Sequence, residues 1–244
     1  MGFNEIKKII FDLAPDKIKR IYQEPVFEEL KKFNSCSTLS FSQEGEDLIL
    51  KRIFEDKKKG FYVDIGAHHP LRFSNTYLFY KMGWRGINID ATPGSMKEFN
   101  KMRRRDINLE VGISNIEQET KFYAFQESAL NTFDVVQAEK WSKKSSLIGV
   151  HLISTLRLET ILDNYLEPSQ KIDFLTVDAE GLDELILRSN NWKKYKPSIV
   201  LVESLKMDIR KLLKSDINFY MEELGYKLFS KTCNTSIYRI KDEL

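Results

Sequence analysis

From Phe61 to Val202 the chain alternates short apolar runs with segments of helical spacing, and this alternation restricts its fold more than any other feature. Phe61–Ile65, Gly86–Asp90, Ile107–Ile113, Ile172–Val177 and Ser198–Val202 read as strands. Ser74–Met82, Ser95–Arg104, Leu158–Tyr165 and Asp183–Arg188 read as the helices between them. Strands that are apolar along their length and separated by helices predict a parallel sheet covered on both faces. Residues 114–150 read as less regular, with a strand at Lys121–Phe125. A last helix at Asp216–Leu224 and a hairpin of Tyr226–Phe229 with Thr235–Ile240 add an antiparallel edge.

Upstream, Ser42 is placed to cap a helix running to about Phe54, with Glu44, Glu46 and Asp47 in its first turns. Residues 4–33 read as two or three short helices divided by Pro15 and Pro25. We therefore expect two units, a helical arm at 1–40 and a main domain at 41–244. The arm packs on the domain or joins a homo-oligomer. Charge narrows the partners: 38 basic against 36 acidic residues leaves a net +2, which does not suit a protein that wraps nucleic acid. Cys36 and Cys233 are the two cysteines, so neither a disulfide framework nor a cysteine-rich zinc site is available. No apolar run reaches the roughly 18–20 residues of a membrane span, and Lys7 and Lys8 interrupt the start where a secretory signal would be continuous. The closing Lys241-Asp242-Glu243-Leu244 spells an address read only inside the secretory pathway, which we take as chance. The expected location is the cytoplasm.

Ligands of open α/β sheets lie beyond the carboxyl ends of the strands. Four of the five strands end in a carboxylate: Asp64, Asp90, Asp178 and Glu203. Like charges converging on one rim repel unless a ligand, a cation or hydrogen-bond donors compensate. In the first loop, Asp64-Ile65-Gly66-Ala67-His68-His69-Pro70, the dinucleotide fingerprint fails, because His68 and Leu71 stand where its second and third glycines belong. One glycine still lets a nucleoside without a pyrophosphate cross the strand end. Asp90 is placed to accept hydrogen bonds from two ribose hydroxyls. S-adenosylmethionine is the common ligand of that description. No GxxxxGK[ST] loop occurs, so a P-loop nucleotidase is unsupported.

At these residues the chain resembles the FkbM-type methyltransferase family, which is S-adenosylmethionine-dependent and acts on hydroxyl groups. The resemblance is carried by Phe41–Asp47, Gly60–Pro70, Ser74–Tyr77, Gly83–Pro93, Ile172–Gly181 and Lys196–Glu203, in the family's order. It implies a class I methyltransferase (Rossmann-like) α/β fold, a mostly parallel seven-stranded sheet whose last strand is antiparallel. It also implies cofactor contacts: Asp64 and Gly66 along the methionine portion, Asp90 on the ribose and Ser114 near adenine. Ser74, Asn75 and Thr76 would open a helix toward the cofactor's carboxylate, and Gln43 and Asp47 would fold over its amino acid end.

An alcohol is a poor nucleophile and needs a base or a metal to take up its proton. Asp178 and Glu180 are expected to face the reacting methyl, with His68 or His69 as the alternative base. A divalent metal, Mg or Mn, held by Asp178, Glu180, Glu203 and a histidine is the competing explanation of the acidic rim. Phe125, Asn131, Thr132, Phe133 and Trp141 suit a sugar cradle, with ordinary packing as the alternative. Arg103-Arg104-Arg105 reads as a solvated helix end. The expected activity is O-methylation of a sugar or sugar-nucleotide acceptor in bacterial surface-polysaccharide assembly. The alternatives are a polyketide or other natural-product hydroxyl, and a non-catalytic cofactor-binding scaffold.

Overall fold

A computed structural model of the protein describes residues 38–127, 130–179 and 181–241. The expected N-terminal helices, Glu180 and the last three residues lie outside this set. Seven strands form the main sheet: β1 (Phe61–Ile65), β2 (Arg85–Asp90), β3 (Ile107–Glu110), β7 (Phe174–Val177), β8 (Ile199–Glu203), β9 (Tyr226–Lys231) and β10 (Thr235–Ile240). Their order across the sheet is β3-β2-β1-β7-β8-β10-β9. All pairings from β3 to β8 are parallel, whereas β10 runs antiparallel to both β8 and β9. The seven-stranded, mostly parallel class I sheet is therefore present, with the last strand reversed. Among the described residues, no helix is long and apolar enough to cross a membrane.

Period-two alternation gives the sheet two buried faces. On one face Val63, Ile65, Leu175, Val177, Val200 and Val202 join a core with helices α5 (Leu158–Tyr165), α6 (Asp183–Arg188) and α7 (Asp216–Glu223). On the other face Tyr62, Phe174, Ile199, Leu201 and Ile237 pack with Leu50, Phe79 and Trp84. Leu50 belongs to α1 (Glu46–Ile53) and Phe79 to α2 (Tyr77–Lys81). This second face turns polar toward the carboxyl ends. Asn88, Asp64 and Thr176 lie side by side in register across β2, β1 and β7, and all three are buried. Buried polar groups need partners: Asp64 and Thr176 find them in the segment that enters α2, and Asn88 finds them in Asp106 and Asn108.

Three expectations are corrected. The run Ile107–Ile113 is not one strand, because the chain leaves the main sheet after β3. Val111 N–H donates to Asp90 O at 3.1 Å, and β4 (Gly112–Ile113) joins a second sheet in the order β4, β6 (Leu147–Leu156), β5 (Gln118–Phe125). A Cβ on Gly112 would stand 2.8 Å from the Phe133 ring and 3.0 Å from the Thr155 methyl, so the crossing needs glycine. Residues 114–150 are also regular: β5 (Gln118–Phe125) pairs antiparallel with β6 (Leu147–Leu156), with α4 (Val135–Trp141) between them. Last, α1 starts at Glu46, after Gly45 in the left-handed region at φ 88°. Ser42 does not cap it but ties the turn, its Oγ accepting from Gly45 N–H and Asp47 N–H.

Candidate functional site

The carboxyl ends of β1, β2, β7 and β8 open into a cleft of about 420 Å³. The second sheet supplies one wall: Gly112, Ile113, Phe122 and, from the turn before α4, Asn131 to Phe133 line it. Of the residues expected from sequence, Gln43, Gly66, His68, Asp90 and Asp178 meet there. Glu203, expected on the acidic rim and as a metal ligand, joins them.

The first loop is built to approach closely. Gly66 has φ 76°, and a Cβ there would lie 1.7 Å from the carbonyl oxygen of Asp178. The chain leaving β1 thus rides against the chain leaving β7, which no other residue permits. Gly66 and Ala67 N–H both donate to Ile89 O, at 2.9 and 3.1 Å. His68 and Phe73 also sit in the left-handed region, at φ 53° and 56°. Bulky residues rarely accept that backbone, and where they do the surroundings enforce it. His69 helps enforce it here: its Nδ1 accepts from Leu71 N–H at 3.0 Å and Arg72 N–H at 2.9 Å. His69 thus shapes the loop and does not line the cleft, whereas Phe73 does, with 51% of its surface open.

Asp90 closes one end. Its Oδ2 accepts from His68 N–H at 2.9 Å and its Oδ1 from Thr92 N–H at 2.7 Å. Each oxygen keeps a lone pair, so a diol could be held by both. Beside it Ala91, Val111 and Ile113 make an apolar strip. A carboxylate next to an apolar slot matches the ribose and the base of an adenosyl group.

The other end is acidic. Asp178 is exposed at the opening of the cleft, with the rest of the protein close around it. Burial, then the charges of Asp183 and Asp64, push its carboxyl up to about 7, against a hydrogen bond with Glu203 that lowers it. Asp178 and Glu203 thus stand together at this end of the cleft.

The remaining expected residues stand behind the cleft. Asp64 is buried, and Thr76 Oγ1 donates to its Oδ2 at 2.7 Å. Asn75 Nδ2 donates to Thr176 Oγ1 at 3.1 Å. Ser74 Oγ accepts from Thr76 and Tyr77 N–H, at 3.3 and 3.1 Å. Thr76 and Asn75 thus serve Asp64 and Thr176 of the sheet, and Ser74 ties its own turn. Asp47 is consumed likewise, holding Ser40, Phe41 and Ser42. Ser114 bonds to Asn115 and, through its backbone, to Leu156. Gln43 reaches the cleft because its neighbour Glu44 grips the hairpin turn, accepting from Asn234 N–H at 2.8 Å and Nδ2 at 2.6 Å. Of the sugar-cradle residues Asn131, Thr132 and Phe133 line the cleft, while Phe125 is buried and Trp141 lies outside it. Among the described residues no group of three or more His, Cys, Asp or Glu side chains could hold a metal.

Asp64 gives a pH prediction. Burial pushes its carboxyl up to about 6, against the Thr76 hydrogen bond and Arg103. The unfolded chain releases that proton near 4. Between those values the folded state binds more protons, so its stability falls as pH rises. Melting midpoints of wild type and Asp64→Asn should diverge from pH 4 to 6.5. The wild type should lose roughly 3 °C or more relative to the variant. Parallel curves would show that Asp64 does not titrate in this window.

A family model described as "Methyltransferase FkbM domain" matches residues 64–228, more than half of the chain. No curated protein matches. Among solved structures, a TehB-like SAM-dependent methyltransferase from Corynebacterium glutamicum is similar at 9% identity, with a TM-score of 0.42, covering 88% of this chain and 95% of that one. An O-methyltransferase from Bacillus cereus in complex with SAH is similar at 10% identity, with a TM-score of 0.38, covering 97% of each chain.

Proposed function

Since the chain belongs to the FkbM methyltransferase family, and is thus an S-adenosylmethionine-dependent methyltransferase, we propose that it methylates a hydroxyl oxygen of a sugar. The observation that carries this reading is one cleft with the Asp90 carboxylate at one end and the carboxyls of Asp178 and Glu203 at the other. Asp90 would hold the ribose, the strip of Ala91, Val111 and Ile113 the adenine, and Gly66 the approach of the methionine portion. When bound, S-adenosylmethionine supplies an electrophilic methyl group on a positively charged sulfur.

The protein's own part is to bring the acceptor hydroxyl in line and to remove its proton. Asp178 is the proposed base, because its carboxyl titrates at a pH where a base is both available and strong enough to act. Glu203 would stand beside it and help to orient it. His68 lies on the other side, tied through its backbone to the ribose carboxylate. Glu180 was expected beside Asp178 and lies outside the described residues. The acceptor end would combine an exposed aromatic, Phe73, with the amides of Gln43 and Asn234. A ring with one apolar face and a rim of hydroxyls suits such a wall. Arg72, whose guanidinium carbon stands 4.7 Å from the centre of the Phe73 ring, would face an anionic group such as a sugar nucleotide's phosphate. Surface-polysaccharide or glycolipid assembly is the setting we propose for such an acceptor.

The test is to incubate the protein with methyl-labelled S-adenosylmethionine and a panel of sugar nucleotides, free glycans and phenolic or polyketide alcohols. We expect label on a sugar oxygen, located by fragmentation mass spectrometry. Label on the non-sugar alcohols alone would overturn the acceptor class. Cofactor binding with no transfer to any member would favour a binding scaffold.

A further inference from the structure

Arg103 follows helix α3 (Met96–Met102) and was expected in solvent with Arg104 and Arg105. The structure corrects this, since Arg103 and its ion-pair partner Asp106 both have side chains fully removed from solvent. Nε donates to Asp106 Oδ2 at 2.9 Å. Nη1 donates to the carbonyl oxygen of Pro70 at 3.0 Å. Nη2 donates to the hydroxyls of Tyr62 at 2.8 Å and Thr76 at 3.0 Å. The guanidinium also lies 4.8 Å from the ring centre of Tyr80.

Burying a charge is unfavourable unless every donor finds a partner, and well-packed apolar residues would stabilise such a site as well or better. The partners chosen here are informative. Pro70 lies within the loop that leaves β1, and Thr76 at its far end. Between them stand Arg72 and Phe73, which line the cleft, with Phe73 held in the left-handed backbone region. Thr76 passes the contact on to Asp64. Only a forked cation reaches Pro70, Thr76 and Asp106 together; a lysine ammonium is a single point.

We propose that Arg103 is a positioning residue for the cofactor, fixing from behind the course of the 66–76 loop and so the wall of the cleft. This rests on the cleft being the cofactor site. The test measures S-adenosylhomocysteine binding by calorimetry, well below each protein's melting midpoint, for wild type, Arg103→Lys and Thr76→Val. We expect Arg103→Lys to weaken binding roughly tenfold and Thr76→Val about threefold or more, losses comparable with a hydrogen bond or less. The control Ile161→Val shortens a core side chain remote from the loop, and should lower the midpoint without changing affinity. A merely structural Arg103 would behave like that control. Affinities within twofold of wild type in both variants would overturn the proposal. If Arg103→Lys does not fold, Thr76→Val decides. Failure of the wild type to bind would instead overturn the cofactor reading itself.

Discussion

Replacing Asp178 by asparagine is expected to lower turnover by about 100-fold or more, the usual contribution of a positioned proton acceptor. The amide keeps the shape of the carboxyl and cannot take a proton. Affinity for S-adenosylhomocysteine, whose sulfur is uncharged, should stay within about threefold, because Asp178 is assigned to the acceptor and not to the ribose or adenine. The pH profile distinguishes this role from simple damage. With the carboxyl pushed up to about 7, its ionised fraction grows as pH rises through that value. Wild-type turnover should therefore climb through about 7 and level off above it, and the climb should vanish in the variant. Full turnover in Asp178→Asn, or an unchanged pH profile, would remove Asp178 from the chemistry.

The second large effect concerns Asp90. If both carboxylate oxygens accept from ribose hydroxyls, Asp90→Ala forfeits two hydrogen bonds to a charged group, each about 1.5 kcal/mol or more. Together these amount to about 3 kcal/mol, or roughly 100-fold in affinity. The loss should grow further because His68 and Thr92 N–H also lose their acceptor. Calorimetry with S-adenosylhomocysteine reads this directly. A variant that binds within threefold of wild type would place the ribose elsewhere.

The parts of this site that the sequence made legible are local ones. Gly66 announces itself because a lone glycine directly after an apolar strand marks a close passage, and Asp90 and Asp178 because they terminate such strands. The continuous apolar runs of β1, β7 and β8 announced a sheet covered on both faces, since strands buried on both sides are apolar along their length. What could not be read depends on partners distant in the chain. Arg103 sits in a basic triplet that looks solvated; its burial is decided by Tyr62, Pro70, Thr76 and Asp106, brought together from both sides of the first two strands. Asp64, Asn75 and Thr76 were singled out from sequence as cofactor contacts, and none of the three lines the cleft. Spacing alone did not tell that they satisfy one another beneath the cleft. Val111 was lost inside an apolar run that looks continuous. Gly112, a glycine inside a strand pattern, was the available sign that the backbone turns away there. The strand Leu147–Leu156 escaped because most of its length is exposed, so it lacks the alternation by which half-buried strands are recognised.

A crystal structure of the protein with S-adenosylhomocysteine bound bears most directly on the whole account. The ribose hydroxyls should be found within hydrogen-bonding distance of both Asp90 oxygens, with the adenine against Val111 and the sulfur on the Asp178 side of Gly66. An adenosyl group lodged outside this cleft, or a ribose with no contact to Asp90, would contradict it.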